Sequence, residues 1–68
     1  MENYQEICNL LRFTLKQTRQ YSDLWRLKHV EENAERYVIA EFQNGSTRVI
    51  NVTMDSGIAM IKDIIRNL

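Results

Sequence analysis

The sequence predicts an α+β fold: a helix, a three-stranded antiparallel meander and a second helix, in two layers, with both helices on one face of the sheet. Three observations support this. Apolar residues near the amino end recur at helical spacing, two runs rich in β-branched and aromatic residues flank an Asn-Gly pair, and the final residues return to helical spacing. The 68 residues suffice for a single domain, 1–68, and are too few for two.

The first helix is predicted over residues 2–21. Glu2 and Glu6 lie in its early turns and basic residues in its later turns, an order that suits the helix dipole. The residues with i, i+3, i+4, i+7 spacing form one buried stripe, which consists of Tyr4, Ile7, Cys8, Leu11, Leu15 and Thr18.

Residues 24–31 can continue this helix or form a strand, and we favour an edge strand because Ser22-Asp23 interrupts the helical pattern. As a regular strand, the segment would place Trp25, Leu27 and His29 on one side. The other side would carry Leu24, Arg26, Lys28 and Val30. Residues 32–35 follow as a polar turn.

The runs 36–42 and 47–53 form a hairpin, since Asn44-Gly45 tolerates the positive φ angles that tight turns need. A two-residue turn would pair Ile39 with Ile50. A three-residue loop that closes on Gly45 as a bulge would pair Val38 with Ile50, and we prefer this register because its core is more uniformly apolar. That core face would hold Val38, Ala40, Phe42, Ile50, Val52 and Met54, with Tyr37, Ile39, Val49 and Asn51 opposite.

Asp55 or Ser56 is expected to cap the last helix. Its apolar positions are Ile58, Ile61, Ile64, Ile65 and Leu68. Because this helix is expected to reach the last residue, the sequence suggests a complete domain.

Composition limits the classes of function. Nine basic and nine acidic side chains give a formal net charge of zero. This weakens the hypothesis of nucleic-acid binding and removes the net repulsion that keeps small proteins apart. The first residues lack the features of a signal peptide, and no apolar run is long enough to cross a membrane. Together with the lone thiol of Cys8, this predicts a cytoplasmic protein without membrane association.

We expect no enzymatic activity, because no motif reaches a catalytic signature. His29, the single histidine, is expected to be exposed on the edge strand, and Cys8 to be a small buried hydrophobe. The sequence offers no metal-ligand spacing and no phosphate-binding glycine pattern. We therefore predict no metal, no cofactor and no small-molecule substrate.

The leading functional hypothesis is a protein-interaction module that forms a homodimer or binds a protein partner. Apolar side chains exceed what one small core can absorb, on a second helical stripe and on the sheet face opposite the core. The candidate interface consists of Leu10, Phe13, Tyr21, Tyr37, Ile39 and Val49. A charged residue in place of Phe13 or Ile39 is predicted to abolish association and to leave the fold intact.

The alternative is nucleic-acid binding through a basic patch on the first helix and first strand. Its candidate contacts are Arg12, Lys16, Arg19, Arg26 and Lys28, with Tyr21 and Trp25 available to stack on bases. Glu31, Glu32 and Glu35 lie close by in the sequence and weaken this hypothesis.

Two stretches, YVIAEFQNG at 37–45 and NVTMDSGIAMI at 51–61, resemble short uncharacterised proteins of gut Firmicutes and their mobile elements. The resemblance covers about the last half of the chain, includes no functional motif and implies a bacterial, cytoplasmic protein. The predicted layout is also similar to that of some small phage-encoded inhibitors, certain anti-CRISPR proteins among them. Those inhibitors typically act as acidic decoys, whereas this chain is neutral, so no residue role carries over.

Overall fold

The computed structural model describes residues 2–68 and has the element order α1 (Tyr4–Lys16), β1 (Leu24–Glu32), β2 (Glu35–Phe42), β3 (Thr47–Asn51) and α2 (Gly57–Asn67). The strands form an antiparallel sheet in the order β1-β2-β3. Buried residues of both helices share one cluster with buried residues of the sheet, so both helices pack on one face, here called the inner face. The other is the outer face. The predicted α+β architecture is confirmed.

Helix α1 is shorter than the predicted 2–21. Asn3 caps its amino end by accepting a hydrogen bond from the Glu6 amide at 3.0 Å, and the helix ends at Lys16. Beyond it, the Thr18 hydroxyl donates to the Leu15 carbonyl at 2.6 Å and accepts from the Tyr21 amide at 3.3 Å. These side-chain hydrogen bonds compete with the backbone hydrogen bonds that would continue the helix, because a threonine hydroxyl can bind nearby backbone groups in a non-helical conformation. Thr18, predicted in the buried stripe, is therefore exposed in a loop.

Segment 24–32 is the edge strand that the sequence predicted, but its faces differ from strict alternation. A bulge between Leu24 and Arg26 shifts the pairing with β2. Leu24 and Leu27 are consequently both buried on the inner face, whereas Trp25 is about half exposed. The predicted grouping of Trp25 with Leu27 was wrong, as was that of Leu24 with Arg26.

Tight turns join the strands. The β1–β2 turn places Asn33 and Ala34 at φ 53° and 64°, both in the left-handed region, so it has the character of a type I′ turn. In the β2–β3 hairpin the Gly45 amide donates to the Phe42 carbonyl and the Phe42 amide to the Ser46 carbonyl, each at 3.0 Å. With Gly45 at φ 89°, this is the preferred three-residue loop.

The hairpin register confirms most of the predicted core face. Val38 pairs with Ile50, and the buried residues are Val38, Ala40, Ile50 and Val52, with Phe42 partly buried. Met54 was wrongly assigned to this face and is 93% exposed. It lies beyond the end of β3, in a turn where strand alternation no longer applies.

Helix α2 begins after Ser56, whose hydroxyl accepts from the Ala59 amide at 3.3 Å. Its buried positions are Gly57, Met60 and Ile64. Ile58 and Ile65, predicted to face the core, are exposed because they lie on the flank of that buried arc. Within residues 2–68, no helix has the length and apolar character needed to span a lipid bilayer.

Candidate functional site

The outer face of the sheet is the candidate site, because neither α1 nor α2 packs on it. Directly opposed residues of neighbouring strands share a face, so the register fixes its composition. One row across the sheet holds Arg26, Glu41 and Thr47, the next Lys28, Ile39 and Val49, and the third Val30, Tyr37 and Asn51. Glu32 and Glu35 complete it beside the β1–β2 turn.

Apolar side chains occupy the middle of the outer face. Ile39 lies between Lys28 and Val49, and Tyr37 lies between Val30 and Asn51. Val49 is 64% exposed, and Val30, Tyr37 and Ile39 are partly exposed. We call Val30, Tyr37, Ile39 and Val49 the outer apolar patch. The structure thus brings together three of the six candidate interface residues.

Val30 is a member of this patch that the sequence analysis did not select. A two-residue turn at 33–34 would have indicated it from the sequence. Such a turn pairs Glu32 with Glu35 and therefore Val30 with Tyr37.

Charges on the outer face are distributed unevenly along the strands. At one end Arg26 donates to both oxygens of Glu41, at 3.0 and 3.1 Å, and its guanidinium lies 4.7 Å from the Trp25 ring centre. Lys28 lies beside this neutralised pair. At the other end are Glu32 and Glu35, and the Tyr37 hydroxyl donates to Glu35, which raises the Tyr37 pKa above its ordinary value. The half of the face with Arg26, Lys28 and Glu41 therefore has a net positive charge and is called the basic end, and the half with Glu32 and Glu35 has a net negative charge and is called the acidic end.

The exposed edge of β1 is partly closed by a side chain. The amide of Gln5, on α1, donates to the Leu27 carbonyl at 3.1 Å and accepts from the His29 backbone amide at 2.8 Å. Gln5 thus occupies two backbone groups that a further strand would otherwise bind. Association by strand addition at this edge is blocked where Gln5 binds.

Two of the other candidate interface residues lie on the opposite side of the molecule. Leu10 and Phe13, on α1, are each 62% exposed. Leu10 also lines a groove of about 240 Å³ between the helices, together with Ile7, Leu11, Thr14 and Ile61. The helix–helix groove and the outer apolar patch are separated by the full thickness of the sheet.

Tyr21 belongs to neither surface. Because α1 ends at Lys16, Tyr21 lies in the α1–β1 loop, where it is partly buried against the core and lines a hollow with Phe42 and Leu68. The predicted helical stripe of Leu10, Phe13 and Tyr21 does not form.

The five basic candidates do not share one surface. Arg12 and Lys16 are on α1, which packs on the inner face, and Arg19 is in the loop after it. Arg26 and Lys28 lie on the outer face, and the Arg26 guanidinium is engaged by Glu41. The positive charge is therefore divided between two sides of the molecule.

A second polar cluster surrounds Arg36, which is 8% exposed and was not singled out by the sequence analysis. Its Nε donates to His29 Nε2 at 3.0 Å, and its Nη1 to the carbonyls of Asp55 at 2.7 Å and Thr53 at 3.4 Å. Its guanidinium lies 3.7 Å from the centre of the Tyr4 ring, which also stacks on His29. The sequence could have indicated its burial, because Arg36 lies two residues before Val38 on the same strand and so on the same face as Val38 and Ala40.

His29 differs from its predicted exposed position. It pairs with Val38 and is half-buried on the inner face, because the bulge and the turn fix the β1 register. Burial, and then the Arg36 charge, lower its pKa below the ordinary 6.5, with an opposing influence from Glu31. A shallow hollow of about 570 Å³ lies beside it, lined also by Glu2, Tyr4 and Glu31. The neutral imidazole accepts the Arg36 hydrogen bond, so its Nε2 lone pair is already occupied.

Cys8 is fully buried, as predicted, and burial raises its pKa to about 11. The thiol is therefore protonated and a poor nucleophile at neutral pH. Among residues 2–68, no three His, Cys, Asp or Glu side chains are grouped in a way that could hold a metal ion.

Comparison of the chain with models of known protein families, with curated proteins and with solved structures finds no match.

Proposed function

We propose that this chain is a protein-interaction module that self-associates through the outer face of its sheet. The observation that carries the proposal is the outer apolar patch, which is contiguous across all three strands and is covered by neither helix. An antiparallel sheet with one solvated face ordinarily carries polar residues there. Covering Val30, Tyr37, Ile39 and Val49 would add apolar burial that a domain of this size needs.

The composition supports association. The formal net charge is zero, so two copies approach without net repulsion. The single buried thiol fits a protein of the reducing cytoplasm. We propose no catalytic role, because the Nε2 atom of His29 accepts a hydrogen bond from Arg36 and the Cys8 thiol is buried and protonated.

Sedimentation equilibrium over a range of micromolar concentrations tests the proposal. We expect the parent chain to form a dimer and Ile39→Lys to remain a monomer, since a lysine in the centre of the patch places a charge in the contact. Phe13→Lys is the matched control, because it introduces the same charge at an exposed apolar residue on the helical side. We expect it to associate like the parent.

Two results would contradict the proposal. A parent chain that stays monomeric at all concentrations leaves the outer face without a self-contact. A Phe13→Lys variant that dissociates while Ile39→Lys does not would move the contact to the helical side. Circular dichroism of each variant shows whether the fold is retained.

Nucleic-acid binding through Arg12, Lys16, Arg19, Arg26 and Lys28 stays an alternative prediction. Filter binding across salt concentrations tests it, because contacts to phosphates weaken steeply as salt rises. Loss of binding in Lys16→Gln and Lys28→Gln together, with a steep salt dependence in the parent, would favour this alternative.

A further inference from the structure

We propose that the outer face binds a second copy of the chain about a two-fold axis that lies in the interface and runs perpendicular to β2. The two sheets then face each other with their strands reversed. This inference rests on the proposed function and adds the geometry of the contact. It is argued from the order of charges along the strands.

The charge order has a direction. Arg26 and Lys28 lie in the first two rows of the outer face, Glu32 and Glu35 lie in the last, and the row of Val30 and Tyr37 separates them. Glu41 is at the basic end, but its carboxylate is bound by Arg26. Lys28 is not bound by an acidic group at the positions opposite it, because its neighbour on β2 is Ile39.

The direction selects the axis. A two-fold axis perpendicular to the strands lays the basic end of each copy over the acidic end of the other, and it does so twice, because the contact is isologous. A two-fold axis parallel to the strands would instead lay each charged end over the same end of the other copy. Opposite charges that meet across an interface fix its register, and like charges that meet disfavour it.

The same axis also matches the apolar residues. An axis that passes through the row of Val30, Tyr37 and Asn51 sets Lys28 of one copy over Glu32 of the other, because both residues lie two positions from Val30 on β1. It also lays Val30 and Tyr37 over their counterparts in the second copy. Face-to-face sheets of this kind pack about 10 Å apart with their strands within about 30° of one another. The β1 edge is not available to a further strand where Gln5 binds it, which favours contact through the face.

A charge-exchange experiment tests this arrangement with two variants, Lys28→Glu and Glu32→Lys. Both side chains are exposed, so neither change disturbs the core. In a dimer of either variant alone, both charged contacts join like charges. In the mixed dimer, both contacts join opposite charges. We expect the dissociation constant to rise about tenfold or more for each variant alone, equivalent to about 1.4 kcal/mol, and to return towards the parent value in the mixture.

Native mass spectrometry with one variant labelled with ¹⁵N separates mixed dimers from homodimers. Lys62→Glu is the control, because it makes the same charge change at an exposed position of α2 and should associate like the parent. A parent dimer whose two variants each associate as tightly as the parent, or whose mixture shows no preference for the mixed dimer, overturns the arrangement and leaves the proposed function standing. A monomeric parent chain overturns both.

Discussion

At the residue scale, the Arg36 side chain connects the sheet with α1 and with the segment before α2. Its contacts reach His29 on β1, the carbonyls of Thr53 and Asp55 before α2, and the Tyr4 ring on α1. None of these partners is a carboxylate, so the buried charge is stabilised by carbonyl dipoles, an imidazole lone pair and an aromatic face. The cluster holds the β3–α2 connection against the sheet.

Replacing Arg36 with methionine should therefore destabilise the fold. The change removes the N–H donors of Arg36, so that two carbonyls and the His29 imidazole nitrogen lose their hydrogen-bond donor. We expect the free energy of unfolding to fall by about 2–4 kcal/mol. Urea denaturation measures this. Arg48→Met is the control, because Arg48 is exposed on β3 and its change should stay within about 0.5 kcal/mol. Equal effects of the two variants would show that the cluster contributes no more than a surface arginine.

His29 should give the fold a sensitivity to acid. Because its pKa is lowered in the folded state, the unfolded chain binds the proton first as the pH falls. Stability should thus decline as the pH drops through about 6.5, the ordinary value, and level off below the folded-state pKa. Protonation also removes the lone pair that accepts from Arg36.

The test is the urea midpoint of the parent and of His29→Gln at a series of pH values. Glutamine keeps an acceptor for Arg36 and does not titrate, so the difference between the two chains should diminish as the pH falls below 6.5. A constant difference would exclude His29 as the cause. Asp55 acts in the opposite sense in both chains, because the neighbouring Asp63 carboxyl, followed by burial, raises its pKa above 3.8.

At the scale of elements, both tight turns need residues with positive φ angles, and the two turns use different residue types for them. The β2–β3 loop has Gly45 at φ 89°, a conformation that glycine adopts without steric cost. The β1–β2 turn has Ala34 at φ 64°, a conformation that costs a residue with a Cβ about 1 kcal/mol or more.

Ala34→Gly should therefore stabilise the protein by about 1 kcal/mol, since it relieves the left-handed conformation in the folded state. The matched change, Gly45→Ala, should destabilise it by a similar amount through the backbone alone, because an added Cβ at Gly45 meets no atom within 4 Å. Thermal unfolding measures both. A loss of stability in Ala34→Gly would contradict the type I′ description of this turn.

Most elements could be predicted from the sequence because their signals are local. The hairpin followed from Asn44-Gly45, and its register followed from the apolar choice between Val38 and Ile39 as the partner of Ile50. The end of α1 and the bulge at Trp25 could not be predicted, because helical spacing continues past Lys16 and strand alternation continues through Trp25. The hydrogen bond from the Thr18 hydroxyl to the Leu15 carbonyl accompanies the end of α1. The bulge accompanies the burial of Leu24 in the core.

At the scale of the whole molecule, the exposed apolar residues fall on two sides. The helical side carries Leu10 and Phe13 with Ile58 and Ile65, and the outer face carries the outer apolar patch. Sequence reasoning identified residues of both but treated them as one interface, because a pattern of exposed residues does not say which side of a sheet a helix covers. The uneven charge along the strands distinguishes the outer face and supports the proposal that a second copy binds there.

The most direct test of this account is a dilution series followed by backbone amide chemical shifts. The account predicts that shifts at Lys28, Val30, Ile39 and Val49 change with protein concentration, while those of Leu10 and Ile61 in the helix–helix groove stay constant. Changes confined to Leu10 and Ile61 would place the self-contact on the helical side. An absence of any concentration dependence would contradict self-association itself.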